Sequence, residues 1–181
     1  MGTDATPRRQ KKDISWERPP QGWVALNSDG SVINGQATAG GVIRDETGRL
    51  VRAFSMKLGE ASITRVELEG LVKGLQVVWN EGFRRVMVQT DSQTAIKLIK
   101  ESDNRHPHFR LVQEARRLLA LNWQVQLLHI YREGNFFADY LASVGHQLQQ
   151  RFHFLEAPDP MLNYWLYFNL IGVETSRLVT C

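Results

Sequence analysis

Cysteine is nearly absent from this sequence: the only one, Cys181, is the last of 181 residues. That excludes a disulfide framework and a cysteine-based metal centre, and points to a reducing, intracellular setting in cytoplasm or nucleus. Long apolar runs are also missing. The longest uncharged apolar-rich stretch, 161–173, has 13 residues, short of the ~20 that cross a bilayer. No segment has the pattern of a secretory signal, and Cys181 lacks the three following residues of a prenylation site. Nor is there a surplus of one charge sign. The formal charge is +3, and residues 1–20 hold five basic groups against three acids, leaving 17 and 16, or +1, for the rest. A body that close to neutral binds phosphates only through local sites. With 43% apolar and 23% charged residues, the chain is globular, neither disordered nor collagen-like.

Residues 1–20 are polar, end in Pro19-Pro20 and read as a flexible basic arm. Met1-Gly2-Thr3-Asp4-Ala5-Thr6 fits an N-myristoylation pattern, and Arg8, Arg9, Lys11 and Lys12 fit a second membrane signal, a nuclear address or a phosphate contact. A solvated tail is the simpler reading. From Trp23 the texture becomes that of a folded domain over 21–148. Strands are expected at 23–29, 40–44 and 50–56, with turns at Asp29-Gly30-Ser31 and Asp45-Glu46-Thr47-Gly48. Val66, Leu68, Leu71, Leu75 and Val78 recur at helical spacing until Gly82. A buried strand at 86–90 precedes helices near 93–100 and 109–121. A half-buried strand at 123–127 and a helix over 136–147 follow. The extension 149–181 is too apolar for a free tail, yet Pro158 and Pro160 interrupt it, so packing on the domain is expected.

Chain reversals alone then gather five residues. If the first three strands meander and the later ones are joined by helical crossovers, Asp29, Glu67, Asp91, His129 and Asp139 come to one edge of the sheet. Each acid has a local explanation: an Asp-Gly turn for Asp29, a Thr64-to-Glu67 capping box, an N-cap for Asp91, a helix first turn for Asp139. Together they repel one another and call for cations between them. Oxygen donors without cysteine or several histidines suit Mg²⁺ or Mn²⁺. Two such ions support in-line attack of water on a phosphodiester, and a histidine on the rim can handle protons.

The stretch 23–148, 126 of 181 residues, resembles the ribonuclease H family, in its plant non-LTR retroelement-type branch. The resemblance is carried by Asn27-Ser28-Asp29-Gly30-Ser31, Arg65-Val66-Glu67-Leu68, Gln89-Thr90-Asp91-Ser92 and the run from His129 through Gly134-Asn135 to Ala138-Asp139, with Gly40-Gly41-Val42-Ile43-Arg44-Asp45 in support. It implies an α/β, three-layer fold with a five-stranded mixed sheet, antiparallel in its first three strands, flanked by helices. It implies cleavage of the RNA strand of an RNA–DNA hybrid, with two Mg²⁺ held by Asp29, Glu67, Asp91 and Asp139, Mn²⁺ as a substitute, and His129 assisting turnover. Gly30, Ser31 and Asn135 become candidate substrate contacts, and a reverse transcriptase or parent polyprotein a candidate partner of a monomeric domain. Two departures stand out. Ile63-Thr64 occupy the place where relatives often have Asn-Gln, and the Trp-containing basic extension between the crossover helices is missing. These keep open a nucleic-acid-binding module of the same fold without catalysis, an interaction or membrane-tethered adaptor, and a two-metal nuclease acting on other nucleic acid.

Overall fold

Long strands with buried centres form the middle of the sheet. In β2 (Val24–Ile33), β3 (Gln36–Arg44) and β4 (Leu50–Glu60) the apolar and small residues face helices on both sides, so burial is nearly continuous through each centre. The three run antiparallel, with Asp29 opposite Gly40 and Phe54 opposite Gly41. The computed structural model describes residues 9–155, 160, 163, 164, 167 and 175–180.

The first reversal is at Asn34-Gly35, which corrects the turn expected at Asp29-Gly30-Ser31. Asn34 and Gly35 have φ of 50° and 79°, the left-handed pair that a two-residue hairpin needs to match the strands' twist. Asp29 and Gly30 therefore lie inside β2. The second hairpin turns at Asp45–Gly48 as expected, with Asp45 Oδ1 accepting from the Thr47 and Arg49 backbones at 2.8 and 3.0 Å.

α1 (Ile63–Asn80) lays Val66, Leu68, Leu71, Leu75 and Val78 on one face of the sheet. Its N-cap is Ser62, whose hydroxyl accepts from the Arg65 backbone. Thr64 is thus inside the helix, and Glu67 is no capping partner for it. β5 (Arg85–Thr90) runs parallel to β2, and β6 (Gln124–His129) parallel to β5. α2 (Gln93–Glu101) and α3 (Phe109–Leu119) make the crossover on the α1 side. Arg116 closes the end of α2, donating to the Ile99 and Ser102 carbonyls at 2.7 and 2.9 Å. A short 3-10 turn, Arg132–Gly134, leads into α4 (Phe136–Gly145), which covers the opposite face with Phe137 and Leu141 on Val42 and Ala53. Thr38 and Ser55 hydroxyls tie α4 to the sheet by donating to the Ala142 and Leu141 carbonyls at 2.7 and 2.6 Å.

The sheet has six strands, in the order β6-β5-β2-β3-β4-β7, rather than five. The additional β7 (Phe152–Phe154) pairs with β4, and the Phe152 ring stacks on Phe54 at 5.7 Å. Three residues carry too short an alternation to be read as a strand. A separate two-stranded sheet joins β1 (Arg9–Ile14) to β8 (Thr175–Thr180).

Of the flexible arm read over 1–20, the described part from Arg9 is ordered on other elements. Beyond β1, Trp16 is 8% exposed and Pro19 is buried against the domain, because the Trp16 indole covers the buried guanidinium of Arg44. The myristoylation pattern at 1–6, Arg8, most of the apolar positions of 156–174 and Cys181 lie outside the described residues.

Candidate active site

Asp29 in β2 and Asp91, just past β5, are on neighbouring strands, beyond the Asn27–Gln89 register pair. The second turn of α1 brings Glu67 to them from one side, and the first turn of α4 brings Asp139 from the other. The four carboxylates that chain reversals place at one edge are in electrostatic contact. Gly30 makes this approach feasible: a Cβ there would stand 2.5 Å from Val66 Cγ1 and 3.2 Å from the Glu67 nitrogen, so a side chain would push α1 away.

Such closeness is electrostatically unfavourable for ionised carboxylates. Burial, then the charges of Asp91 and Asp139, push Asp29 up to about 7, against the Gly30 N–H, which donates to Asp29 Oδ1 at 2.8 Å. Burial, then Asp29 and Asp91, push Glu67 up to about 9. Asp29 faces both Glu67 and Asp139 closely enough for each contact to favour the protonated form of Asp29 or Glu67. Glu67 Oε2 is buried without a hydrogen-bond partner. Asp139 is held by Arg132, which donates to its Oδ1 at 3.0 Å.

Among the described residues, no three histidine, cysteine, aspartate or glutamate side chains form a ready-made metal-ligand group. The chemistry of the donors nevertheless fits a hard divalent cation. They are all carboxylates, two are driven to keep protons by burial and by their neighbours, and one oxygen is orphaned.

The remaining expected site residues divide. His129 ends β6, exposed, its ring edge-on to Tyr131 at 6.1 Å. It lines an open cleft of about 430 Å³ with Asp91, Ser92 and Arg132. Ser92, rather than Asp91, caps α2 by accepting from the Ala95 backbone at 3.2 Å, so the Asp91 carboxylate is left to the site. Asn135 is 1% exposed and faces inward. Its Nδ2 donates to Asp91 Oδ1 at 3.1 Å and to the Ser28 carbonyl at 3.0 Å, so it orients a carboxylate and has no face for a substrate. Ser31 Oγ is 3.0 Å from Nε2 of His146, which also meets Thr38 Oγ1 at 3.0 Å. A larger cavity of about 540 Å³, over α2 and the loop to Pro107, holds none of the four carboxylates. There His106 Nδ1 accepts from the His108 backbone at 3.2 Å, the local contact of a surface loop.

Sequence reasoning missed Asn27, Gln89, Arg44, Arg132 and Trp16. Asn27 and Gln89 are polar residues at the centre of strands, 0% and 1% exposed. Both stand in the motifs that carry the family resemblance, yet nothing there gives them a role, and polarity inside an apolar run equally marks an edge or a bulge. Arg132 had the clearer signal, a cation beside the histidine motif.

A family model described as reverse transcriptase-like matches residues 27–145. A curated protein of Arabidopsis thaliana with a provisional ribonuclease H name is 36% identical over 160 residues, covering 86% of this chain and 26% of that protein. The chain thus spans about a quarter of the length of this relative. Among solved structures, RNase H1 of the archaeon Halobacterium salinarum superposes with a TM-score of 0.65 and 26% identity, over 69% of this chain and 98% of that one. The N-terminal RNase H domain of a Mycobacterium tuberculosis protein gives 0.64 and 22%, over 69% and 94%. LC11-RNase H1 from compost, solved in complex with an RNA/DNA hybrid, gives 0.59 and 22%, over 65% and 92%. With a family match across most of the sheet and its helices, and a fold shared with these structures, the chain belongs to the reverse transcriptase-like family of ribonuclease H domains.

Proposed function

We propose that this domain is a divalent-cation-dependent endoribonuclease that cuts the RNA strand of RNA–DNA hybrids. The observation that carries the proposal is the convergence of Asp29, Glu67, Asp91 and Asp139, with Asp29 and Glu67 pushed up to about 7 and about 9 and Glu67 Oε2 unpartnered. A neighbour solved with an RNA/DNA hybrid supports the substrate class. Two Mg²⁺, or Mn²⁺ in their place, are the proposed cofactors, and when bound they supply Lewis-acid activation of water and of a phosphate oxygen.

The chain's own residues do the rest. Asp29 and Glu67 are the buried pair of the site, and Asp91 lines the open cleft. Asn135 holds the Asp91 carboxylate in one orientation. His129 is the proposed group that gives or takes a proton as product leaves, a role supported by its exposure on the rim of the cleft. Arg132 competes with a cation for the Asp139 carboxylate. The Arg132–Asp139 pair, with Ile63-Thr64 ahead of Glu67, also favours the second reading, a nucleic-acid-binding module that has lost catalysis. A reverse transcriptase, or a longer chain containing this domain, is the proposed partner.

The test compares wild type with Asp91→Asn on a labelled hybrid, single-stranded RNA and duplex DNA. Cleavage of only the hybrid's RNA strand, in Mg²⁺ or Mn²⁺ but not EDTA and lost in Asp91→Asn, is expected. Hybrid bound but uncut with every cation would move the assignment to the binding module. Preferential cutting of duplex DNA or single-stranded RNA would replace the substrate.

A further inference from the structure

A continuous buried relay of hydrogen bonds runs from the segment ahead of the sheet to Asp91. Trp16 Nε1 donates to Gln89 Oε1 at 2.7 Å. Asn27 Nδ2 donates to the same Gln89 oxygen at 3.0 Å and to Asn135 Oδ1 at 3.3 Å. Asn135 Nδ2 then donates to Asp91 Oδ1 at 3.1 Å. Trp16, Asn27, Gln89 and Asn135 are 8%, 0%, 1% and 1% exposed, so the relay is closed to solvent until it reaches Asp91.

The three amides in this relay have no freedom to flip, because groups with a single hydrogen-bonding role flank them. Arg44 can only donate, and its Nη2 donates to Asn27 Oδ1 at 2.8 Å. That turns Asn27 Nδ2 toward Gln89 and Asn135. The Trp16 indole can only donate, and the Glu17 carbonyl can only accept, from Gln89 Nε2 at 3.2 Å. Together they fix Gln89 with its oxygen toward Asn27. At the far end the Ser28 carbonyl and the Asp91 carboxylate can only accept, which fixes Asn135. The Trp16 ring also lies 3.4 Å from the Arg44 guanidinium carbon, covering a cation that is 1% exposed. Trp16 therefore acts twice: it donates to Gln89, and it shields Arg44, the group that polarises Asn27.

We infer that Trp16 is a positioning residue for Asp91, so that the active site extends to a segment ahead of the matched family region, which begins at residue 27. This rests on the proposed catalytic role of Asp91. Removing the indole leaves Gln89 with one donor fewer and opens Arg44 to water, and the amides downstream lose their single orientation. Misorientation of a reacting carboxylate by a fraction of an ångström lowers turnover without removing any substrate contact.

The test uses the full chain with Trp16→Ala and Trp16→Phe. The phenylalanine variant keeps a ring over Arg44 and loses only the N–H, so it separates the two roles and guards against a failure to fold. Assayed well below each variant's Tm, Trp16→Ala is expected to lower kcat on the hybrid by about 10- to 100-fold with KM unchanged, and Trp16→Phe to recover part of that loss. An independent readout is hydrogen exchange of the Asn27 and Asn135 side-chain amides by NMR, expected to be slow in wild type and faster in Trp16→Ala. Unchanged kcat and unchanged exchange in a folded Trp16→Ala would overturn the inference, as would a rise in KM alone. If wild type cuts nothing, the catalytic reading fails, and the exchange measurement still decides whether Trp16 orders the relay.

Discussion

Glu67 has the most constrained environment of the four acids. Its nearest charges are Asp29 and Asp91, and its Oε2 has no partner. Both Glu67 and Asp29 hold a proton more tightly folded than unfolded. Their contribution is therefore intact at pH below the unfolded carboxylate range and is lost as pH rises, through about 7 for Asp29 and toward about 9 for Glu67. Without divalent cations, wild type is expected to lose stability relative to Glu67→Gln between about pH 5 and pH 9, measured as Tm. Added Mn²⁺ should reverse the loss in wild type alone. A constant Tm difference across that range would mean that Glu67 is not protonated by its surroundings. Glu67, Asp91, His129 and Asp139 were legible in the sequence because strand ends and helix starts locate them without side-chain detail, whereas Asp29, read at a strand end, lies inside β2. Asn135 was legible as a site residue but not in its role, since whether an amide faces substrate or core depends on the α4 packing. Trp16 was not legible at all, because its partners Arg44 and Gln89 belong to strands remote in sequence.

The β2–β3 hairpin shows what a pattern reading reaches and where it stops. Two turn signals compete in one short stretch, Asp29-Gly30 and Asn34-Gly35. Both dipeptides suit a left-handed turn, and only the second leaves Asp29 in the strand opposite Gly40. The first fails because Gly30 is needed for closeness to α1 rather than for its φ. Gly35 has open space where a Cβ would stand but φ of 79°, so Gly35→Val should cost about 1–2 kcal/mol from backbone strain alone, read from urea unfolding. It should leave the cation dependence of the site unchanged. A neutral substitution would show that the turn relaxes to another type. The other strands and helices between 24 and 145 were legible to within their ends, because α1, α3 and β6 have strong periodicity, whereas β1 and β8 were not read as strands. β7 was not, since its pairing with β4 rests on two phenylalanines meeting Phe54 and Met56.

For the whole molecule, the charge of +3 has a location. The basic surplus belongs mainly to the first 20 residues, and the body gathers four of its acids on one edge of the sheet. Several cations are already engaged: Arg116 on the carbonyls ending α2, Arg117 on Glu114, Arg132 on Asp139. General basicity is therefore a weak source of affinity, and cations held by the carboxylates would change the sign of the local field where a phosphate must sit. Hybrid binding is expected to be weak in EDTA and to tighten with Mg²⁺ or Ca²⁺, measured by anisotropy on a labelled hybrid. Equal affinity with and without cation would place the binding surface elsewhere.

Asp29, Glu67, Asp91 and Asp139 are proposed to share one edge in order to hold divalent cations. Titration calorimetry of Mn²⁺ into the protein near neutral pH, in two buffers of different ionisation enthalpy, tests it most directly. Binding is expected to release about one proton or more from the raised carboxyls, with affinity lost in Asp91→Asn and the proton release reduced in Glu67→Gln. No binding, or binding that neither substitution alters, would contradict the proposal.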